Sequence, residues 1–413
     1  TKKIRMNFLV EHTNSRISHS FNISGSKSES NRLLILKHIF KNINIENISN
    51  SDDTKVLESF LNKESNLIDV HHAGTAMRFL TAYLSIKNNN SFQITGSQRM
   101  QNRPIKILVD ALNDLGADIK YSNKSGYPPL DINGKTLEGG EISLSSEVSS
   151  QYVTALMLIA SSLKKGLMIN LEGSVTSRPY IEMTSSILNR VGIRCHFVGN
   201  KILIKSTKTI NKSVQKVESD WSSLSYFYSI VALSKGSILK IGSYNINSIQ
   251  GDKKLIDIYS KLGVETVFEN DIISIKNINS PDSLDSLELN LSDTPDIAQT
   301  IAVTCFGLGL SCDLYGLHTL KIKETDRLEA MKIELTKLGG VVDITKDSFH
   351  IKKVVEIKSN VTIETYNDHR MAMAFAPLAI CKPISINNPD VVSKSFPDFW
   401  THLKGMNFII SKI

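Results

Sequence analysis

Ala73-Gly74-Thr75-Ala76-Met77-Arg78-Phe79-Leu80-Thr81-Ala82-Tyr83-Leu84 opens on small and hydroxyl residues and runs into a helical stretch that is apolar nearly all round. A helix without a polar face has to be buried on every side. Its first turn leaves several N–H groups unpaired at the positive end of the helix dipole, where an oxyanion can approach a small residue closely. The same pattern recurs after Gly25-Ser26-Lys27-Ser28, Ser149-Ser150-Gln151, Asp220-Trp221-Ser222-Ser223, Thr294-Pro295-Asp296 and Asn367-Asp368-His369-Arg370, making six copies in all. One such cluster reads as an ordinary N-cap. Six of them, with basic residues interleaved, read as a protein that grips phosphates and carboxylates.

Each apolar helix is followed by a short strand-like stretch and then by a second, one-sided helix. Ile105–Leu115 stops at Gly116, Tyr180–Val191 at Gly192, Lys253–Leu262 at Gly263, Leu328–Leu338 at Gly339 and Phe399–Lys404 at Gly405, while Asp53–Leu61 is a looser copy without the glycine. Glycine admits the left-handed conformation that closes a helix, and β-patterned residues follow, as in Ala117-Asp118-Ile119-Lys120. A spacing of about seventy residues is too long for the common solenoids and fits a β-α-β-α-β-β unit used six times. Three units precede Glu218 and three follow Asp220, so the chain divides into two similar α/β halves with a crossover at Glu218–Trp221. The polar tracts Asn42–Ser51, Asn88–Ser91 and Asn277–Ser280 read as surface loops.

At 413 residues the chain calls for at least two domains, and 41% apolar with 22% charged residues is the balance of a globular protein. The net charge of +7 comes from scattered lysines without a dense basic run or an aromatic RNA-binding signature, which favours small acidic ligands over nucleic acid. Cys195, Cys305, Cys312 and Cys381 form no CxxC pair and have no histidines at metal-ligand spacing, so neither a metal site nor a disulfide framework is expected. They read as small buried residues of a reducing compartment. No leader and no bilayer-length apolar run is evident, and the chain reads as cytosolic, without a membrane partner.

Ser24-Gly25-Ser26-Lys27-Ser28-Glu29-Ser30-Asn31-Arg32 is not a P-loop, because the upstream glycine of GxxxxGK[ST] is absent. It is joined by His71-His72-Ala73-Gly74-Thr75-Ala76-Met77-Arg78, Arg99-Met100-Gln101-Asn102-Arg103-Pro104, Ser149-Ser150-Gln151, Ser177-Arg178-Pro179-Tyr180, Lys323-Glu324-Thr325-Asp326-Arg327, Asn367-Asp368-His369-Arg370-Met371-Ala372-Met373 and Ser393-Lys394-Ser395-Phe396-Pro397-Asp398. The set, collinear from about residue 24 to 400, closely resembles the 5-enolpyruvylshikimate-3-phosphate synthase family. The resemblance implies a two-domain inside-out α/β barrel of the enolpyruvyl transferase type, with three β-α-β-α-β-β repeats per domain. Residues 1–22 plus 220–413 would form one domain and 23–219 the other, with the active site in the interdomain cleft.

The implied reaction moves the enolpyruvyl group of phosphoenolpyruvate to the 5-hydroxyl of shikimate 3-phosphate and releases phosphate, in the pathway to the aromatic amino acids. Holding two phosphates and two carboxylates together demands cations. Carried over by position, Lys27, Gly74, Arg103, Gln151, Arg327, Arg370 and Lys394 would hold phosphoenolpyruvate. Lys27, Ser28, Arg32, Ser149, Ser150, Gln151, Ser177, Asp296, Thr319 and Lys323 would hold shikimate 3-phosphate. Asp296 is the implied acceptor of the hydroxyl proton, Glu324 the group exchanging a proton at C3, and Lys27 the cation between the ligands. Taken alone, Asp296 reads as a helix-dipole carboxylate and Glu324 as a first-turn acid paired with lysine. Within the full set the catalytic reading prevails.

Arg178 reads as a surface arginine before Pro179, and Asp368 and His369 as groups that fix the loop presenting Arg370. Three positions depart from the family pattern: His72, Phe79 after Arg78, and Thr319 where asparagine is usual. The nearest alternative enzyme is UDP-N-acetylglucosamine enolpyruvyl transferase, but the stretch between Ser97 and Asn102 lacks the mobile-loop cysteine that family uses. A non-catalytic anion or RNA-end binder on the same fold would leave Asp296 and Glu324 without a task. The expected protein is a monomer that needs no cofactor and no metal.

Overall fold

The computed structural model describes residues 6–13, 16–63, 65–145, 149–173, 175–278, 284–353 and 356–413. All six polar openings lie at helix starts. Ser26, Ala73, Ser149, Asp220 and Asp368 cap the helices Lys27–Phe40, Gly74–Ser85, Ser150–Ala160, Trp221–Leu233 and His369–Phe375. The Thr294 opening starts a 3-10 turn, Pro295–Ile297, that continues as the helix Ala298–Gly307. These helices are buried nearly throughout: every residue from Ala76 to Ser85, from Tyr152 to Ala160 and from His369 to Phe375 is inside. Full burial of a leucine such as Leu80 or Leu156 contributes about 1.5–3 kcal/mol. The second helices bury one face only, as Ile181, Met183, Thr184, Ile187 and Leu188 do in Arg178–Arg190.

Each repeat contributes a sheet. Leu67–Asp69 pairs in parallel with Ser91–Thr95, and the hairpin Asp118–Tyr121 and Leu130–Asn133 adds antiparallel through its second strand. A parallel pair cannot be joined by a tight turn and needs a crossover, which is the place the apolar helix takes. The same order recurs in Gly140–Ser145, Leu167–Glu172, Lys201–Ile204 and Cys195–Val198, and again in Ser286–Asn290, Ser311–Tyr315, Phe349–Ile351 and Val342–Ile344.

Two further sheets draw a strand from the N-terminus. Ser18–Asn22 pairs in parallel with Ile238–Gly242, and Asn7–His12 lies antiparallel between Ile384–Asn387 and Phe408–Lys412. By its contacts the chain falls into two compact units, Thr1–Ser24 with Glu218–Ile413, and Gly25–Val217. The second unit is thus inserted between the strand Ser18–Asn22 and the crossover helix Trp221–Leu233.

The first repeat departs from the other five. Its sheet has two strands, Ile43–Glu46 in parallel with Ser213–Lys216, a strand supplied from the far end of the unit. Asn42–Ser51, read above as a loop, contains that strand: Ile43 is fully buried and Ile45 half-buried, while Asn44 and Glu46 face out with a period of two. Asparagine-rich composition hid the alternation. Asn277 likewise ends the strand Ile272–Asn277 with its side chain buried, accepting from Gly236 N and donating to Ala232 O, and residues 279–280 of that tract lie outside the described residues. Ser91 is the first residue of its strand rather than the end of a loop.

Gly116, Gly192, Gly263 and Gly339 close their helices with φ between 80 and 102°. Gly405 does not: the helix Phe399–Gly405 runs through it, and Asn407 takes the left-handed conformation at φ 66°.

Candidate active site

In the unit Gly25–Val217 the expected residues gather at the starts of buried helices. Lys27, on the first turn behind Ser26, pairs with Asp53 Oδ2 at 3.1 Å, and Asp53 is itself buried on the first turn of the next helix. Arg103 follows the short helix Gln98–Gln101 and is nearly buried, with Nε lacking a hydrogen-bond partner among the described residues. Its guanidinium lies against Gly74: a Cβ at residue 74 would stand 2.6 Å from Arg103 Nη1. Arg103 therefore fills the space beside Gly74.

The backbone after Arg103 is held by Arg78 and Tyr152. Arg78 Nη2 donates to Pro104 O at 3.3 Å, and Tyr152 Oη donates to the same carbonyl. Gln151 reaches Thr75, Nε2 to Oγ1, at 3.4 Å, bringing two helix starts together. Ser149 caps its helix through Gln151 N, whereas Ser177 sits at φ 53° and makes no capping bond with its side chain. Left-handed φ strains a non-glycine residue and is tolerated where the surroundings fix it. Ser28 and Ser150 are half-buried on first turns.

Arg32 is placed differently from a surface cation. The residue is 3% exposed, and its guanidinium donates to Thr184 Oγ1 at 2.8 Å, Ser28 O at 2.7 Å, Tyr180 O at 3.2 Å and Thr154 Oγ1 at 3.4 Å, which leaves one Nη1 N–H without a partner among the described residues. Phe79 lies beneath it, with Cζ 5.8 Å from the ring centroid, so this phenylalanine packs on Arg32 inside a regular helix. Burial lowers Arg32 to about 10, with Tyr180 and Glu29 opposing. Arg178 bonds Glu182 at 2.7 Å and Gly199 O at 3.0 Å and stacks on Phe197, which occupies it at the surface. His72 bonds Ser97 at 2.9 Å.

In the other unit the expected residues form one network. Arg327, fully buried, is its hub: Nη1 to Asp296 at 3.1 Å, Nη2 to Glu324 at 2.9 Å, and Nε to Asp368 at 2.7 Å. Arg370 Nη2 reaches Asp296 at 3.0 Å and its Nη1 reaches the Tyr226 hydroxyl at 3.3 Å. Lys394 holds Glu324 at 2.8 Å, and Lys323 lies 3.6 Å from Asp296. Three carboxylates and four cations alternate. Burial alone would raise Asp296, but Arg370, Lys323 and Arg327 outweigh it and hold the carboxyl well below the usual range. Burial likewise works against the Arg327 charge and is overcome by Asp368, Glu324 and Asp296, so its affinity for the proton rises. Asp368 also accepts from Arg370 N at 2.9 Å, which caps the helix and sets where Arg370 starts. Thr319 Oγ1 is buried without a hydrogen-bond partner among the described residues.

The fourth polar opening is plugged from within. Trp221 N donates to Gln250 Oε1 at 3.0 Å, Ser223 N to Asp220 Oδ1 at 2.7 Å, and the Ser222 hydroxyl to Asp252. Side-chain oxygens already satisfy this helix start, so it is not an anion site of the kind its sequence suggested. Sequence reasoning also missed Asp53 and Asp252 as neighbours of the charged groups. For Asp53 the signal was present, as a first-turn acid one helix after Lys27; Asp252 gave none.

Residues 38–403 match the family model described as EPSP synthase (3-phosphoshikimate 1-carboxyvinyltransferase). The chain belongs to the EPSP synthase family. A protein named 3-phosphoshikimate 1-carboxyvinyltransferase from Bacteroides fragilis (strain YCH46) is 42% identical over 95% of this chain and 96% of its own length. One of the same name from Shewanella pealeana is 32% identical over 95% and 97%. Among solved structures, EPSP synthase from Acinetobacter baumannii superposes with a TM-score of 0.79 at 21% identity, covering 98% of this chain and all of that one. The enolpyruvyl transferase NikO from Streptomyces tendae gives 0.75 at 14%, covering 99% of each. These likenesses show the inside-out α/β fold of the enolpyruvyl transferases, and EPSP synthase family membership makes the chain a transferase. The four cysteines are free thiols, three of them buried. Among the described residues no cluster of His, Cys, Asp and Glu could hold a metal ion, and no helix is long and apolar enough to cross a membrane.

Proposed function

We infer that this EPSP synthase family chain transfers the enolpyruvyl group of phosphoenolpyruvate to the 5-hydroxyl of shikimate 3-phosphate, giving 5-enolpyruvylshikimate 3-phosphate and phosphate. The observation that carries the assignment of roles is the alternation of Asp296, Glu324 and Asp368 with Lys323, Arg327, Arg370 and Lys394. Asp368 holds Arg327 and caps the helix of Arg370, a task any anion site could use, but Asp296 and Glu324, half-buried between the cations, supply what addition followed by elimination needs, a group to take a proton and another to exchange one. C3 of phosphoenolpyruvate is protonated as the hydroxyl oxygen bonds to C2, with the hydroxyl proton passing to Asp296. Phosphate then leaves C2 while C3 loses a proton, and Glu324 is the group at C3.

Asp296 stays ionised under its three cations and is a weak base while they hold it. The anionic groups of the ligands compete for Arg370, Arg327 and Lys323, and that competition restores its basicity. Arg327, Arg370, Lys394, Arg103, Gln151, Gly74 and Lys27 hold phosphoenolpyruvate in this reading. Lys27, Ser28, Arg32, Ser149, Ser150, Gln151, Ser177, Asp296, Thr319 and Lys323 hold shikimate 3-phosphate. The protein acts as a cytoplasmic monomer without nucleic acid. Phosphate release from phosphoenolpyruvate tests the assignment: it should require shikimate 3-phosphate, and release with UDP-N-acetylglucosamine instead would overturn it.

A further inference from the structure

Two consecutive non-glycine residues, Tyr366 at φ 53° and Asn367 at φ 56°, take the left-handed conformation immediately before Asp368. Asparagine adopts that conformation readily, but an aromatic residue such as Tyr366 holds it only where surrounding contacts impose it. The contacts come from Glu334, fully buried on the helix Arg327–Lys337, seven residues and two turns along from Arg327 itself. Glu334 Oε1 accepts from the Tyr366 hydroxyl at 2.6 Å and Oε2 from Glu364 N at 3.1 Å, while Lys337 Nζ neutralises both oxygens at 2.9 and 2.8 Å. On the other side Asn388 donates to Asn367 Oδ1 at 3.0 Å. Burial, reinforced by the Glu334 hydrogen bond, raises the Tyr366 phenol, which therefore remains a donor.

We propose that Glu334 and Tyr366 form a clamp that fixes the spacing of Arg327 and Arg370, making both positioning residues for the anion these arginines hold. One helix carries Arg327 at its first turn and the clamp at its third. The clamp sets the turn before Asp368, and Asp368 in turn binds Arg327 and caps the helix that presents Arg370. Releasing Tyr366 lets the left-handed pair relax and moves Arg370 relative to Arg327, so the cost falls on anion affinity before it falls on chemistry. The proposal rests on the reading that Arg327 and Arg370 hold phosphoenolpyruvate.

The test is steady-state kinetics on the full chain with Tyr366→Phe, which removes one oxygen and keeps the ring, alongside Glu334→Gln, whose single oxygen cannot accept from both the Tyr366 hydroxyl and Glu364 N. Both variants should raise KM for phosphoenolpyruvate, Tyr366→Phe about tenfold, while kcat and KM for shikimate 3-phosphate change less than threefold in Tyr366→Phe. Amide exchange of the segment 364–371 should speed up in both variants. An unchanged exchange rate and an unchanged KM in Tyr366→Phe would overturn the clamp. Faster exchange with an unchanged KM would also overturn it, provided that Arg370→Lys raises KM for phosphoenolpyruvate. If Arg370→Lys leaves that KM unchanged as well, it is the assignment of Arg370 to phosphoenolpyruvate that fails.

Discussion

Asp252 is a buried carboxyl with no cation bonded to it among the described residues, and replacing it by asparagine should change how stability depends on pH. Its Oδ2 accepts from the Ser222 hydroxyl, and its Oδ1 is buried without a partner among the described residues. Burial raises the carboxyl to about 7, with the Ser222 hydrogen bond and Arg370 pulling it down and Asp296 and Asp220 pushing it up. Between 3.8 and about 7 the folded protein keeps this proton and the unfolded chain has lost it, so stability falls as pH rises through that window and levels off above it. Each pH unit is worth about 1.4 kcal/mol, about 4 kcal/mol across the window as an upper bound. Asp252→Asn keeps an oxygen for Ser222 and carries no charge at any pH. Its stability advantage over the wild type should therefore widen by up to about 3 kcal/mol between pH 5 and pH 7 and stay constant from pH 7 to pH 8. Both tryptophans, Trp221 and Trp400, lie in the unit that contains Asp252, so urea unfolding followed by their fluorescence reads that unit. Glu218 is also raised, chiefly by burial, but it is present in both proteins and cancels. A difference between the two proteins that is the same at pH 5, 7 and 8 would refute the reasoning, because it would mean that Asp252 titrates alike folded and unfolded.

Asp296→Asn and Glu324→Gln should each lower kcat by about 10²-fold or more with modest changes in KM, as expected when proton transfer is lost; a steady-state assay showing near-normal kcat would remove that residue from the chemistry. Gly74→Ala should raise KM for phosphoenolpyruvate, since the new methyl stands 2.6 Å from Arg103 Nη1 and drives the guanidinium aside. Glyphosate, whose phosphonate and carboxylate match the anionic groups of phosphoenolpyruvate, should compete with that substrate in the wild type and lose more affinity than the substrate does in Gly74→Ala. Equal KM values for the two proteins would show that Arg103 moves without cost.

What the sequence made legible was whatever a local pattern controls. A helix without a polar face can only be buried, so Gly74–Ser85 and Ser150–Ala160 followed from composition alone, and the small or hydroxyl residues Ala73 and Ser149 marked where they start. The strand Ile43–Glu46 was hidden because its partner, Ser213–Lys216, lies some 170 residues away and its four residues are too few for alternation to stand out among asparagines. Gly405 misled for the opposite reason: a glycine at a helix end permits the left-handed conformation without requiring it, and Asn407 took that role two residues on.

At the site, the cations and the carboxylates could be named one by one, but which pairs with which could not. The motifs place Arg327, Arg370 and Lys394 on three separate segments, and nothing in the sequence says that Asp296 reaches both Arg327 and Arg370, that Lys394 reaches Glu324, or that Asp368 reaches back to Arg327. The fourth opening shows the same limit from the other side. Its serines look as able to receive an anion as those of the openings at Ser26 and Ser149. Gln250 and Asp252, about thirty residues downstream on a turn that carries no motif, fold back onto that helix start and fill it. Whether a polar helix start binds a ligand or is sealed by the protein's own oxygens is decided by which distant side chain reaches it. In this chain Asp252, which takes the Ser222 hydroxyl at that start, is also a carboxyl that burial lifts to about 7.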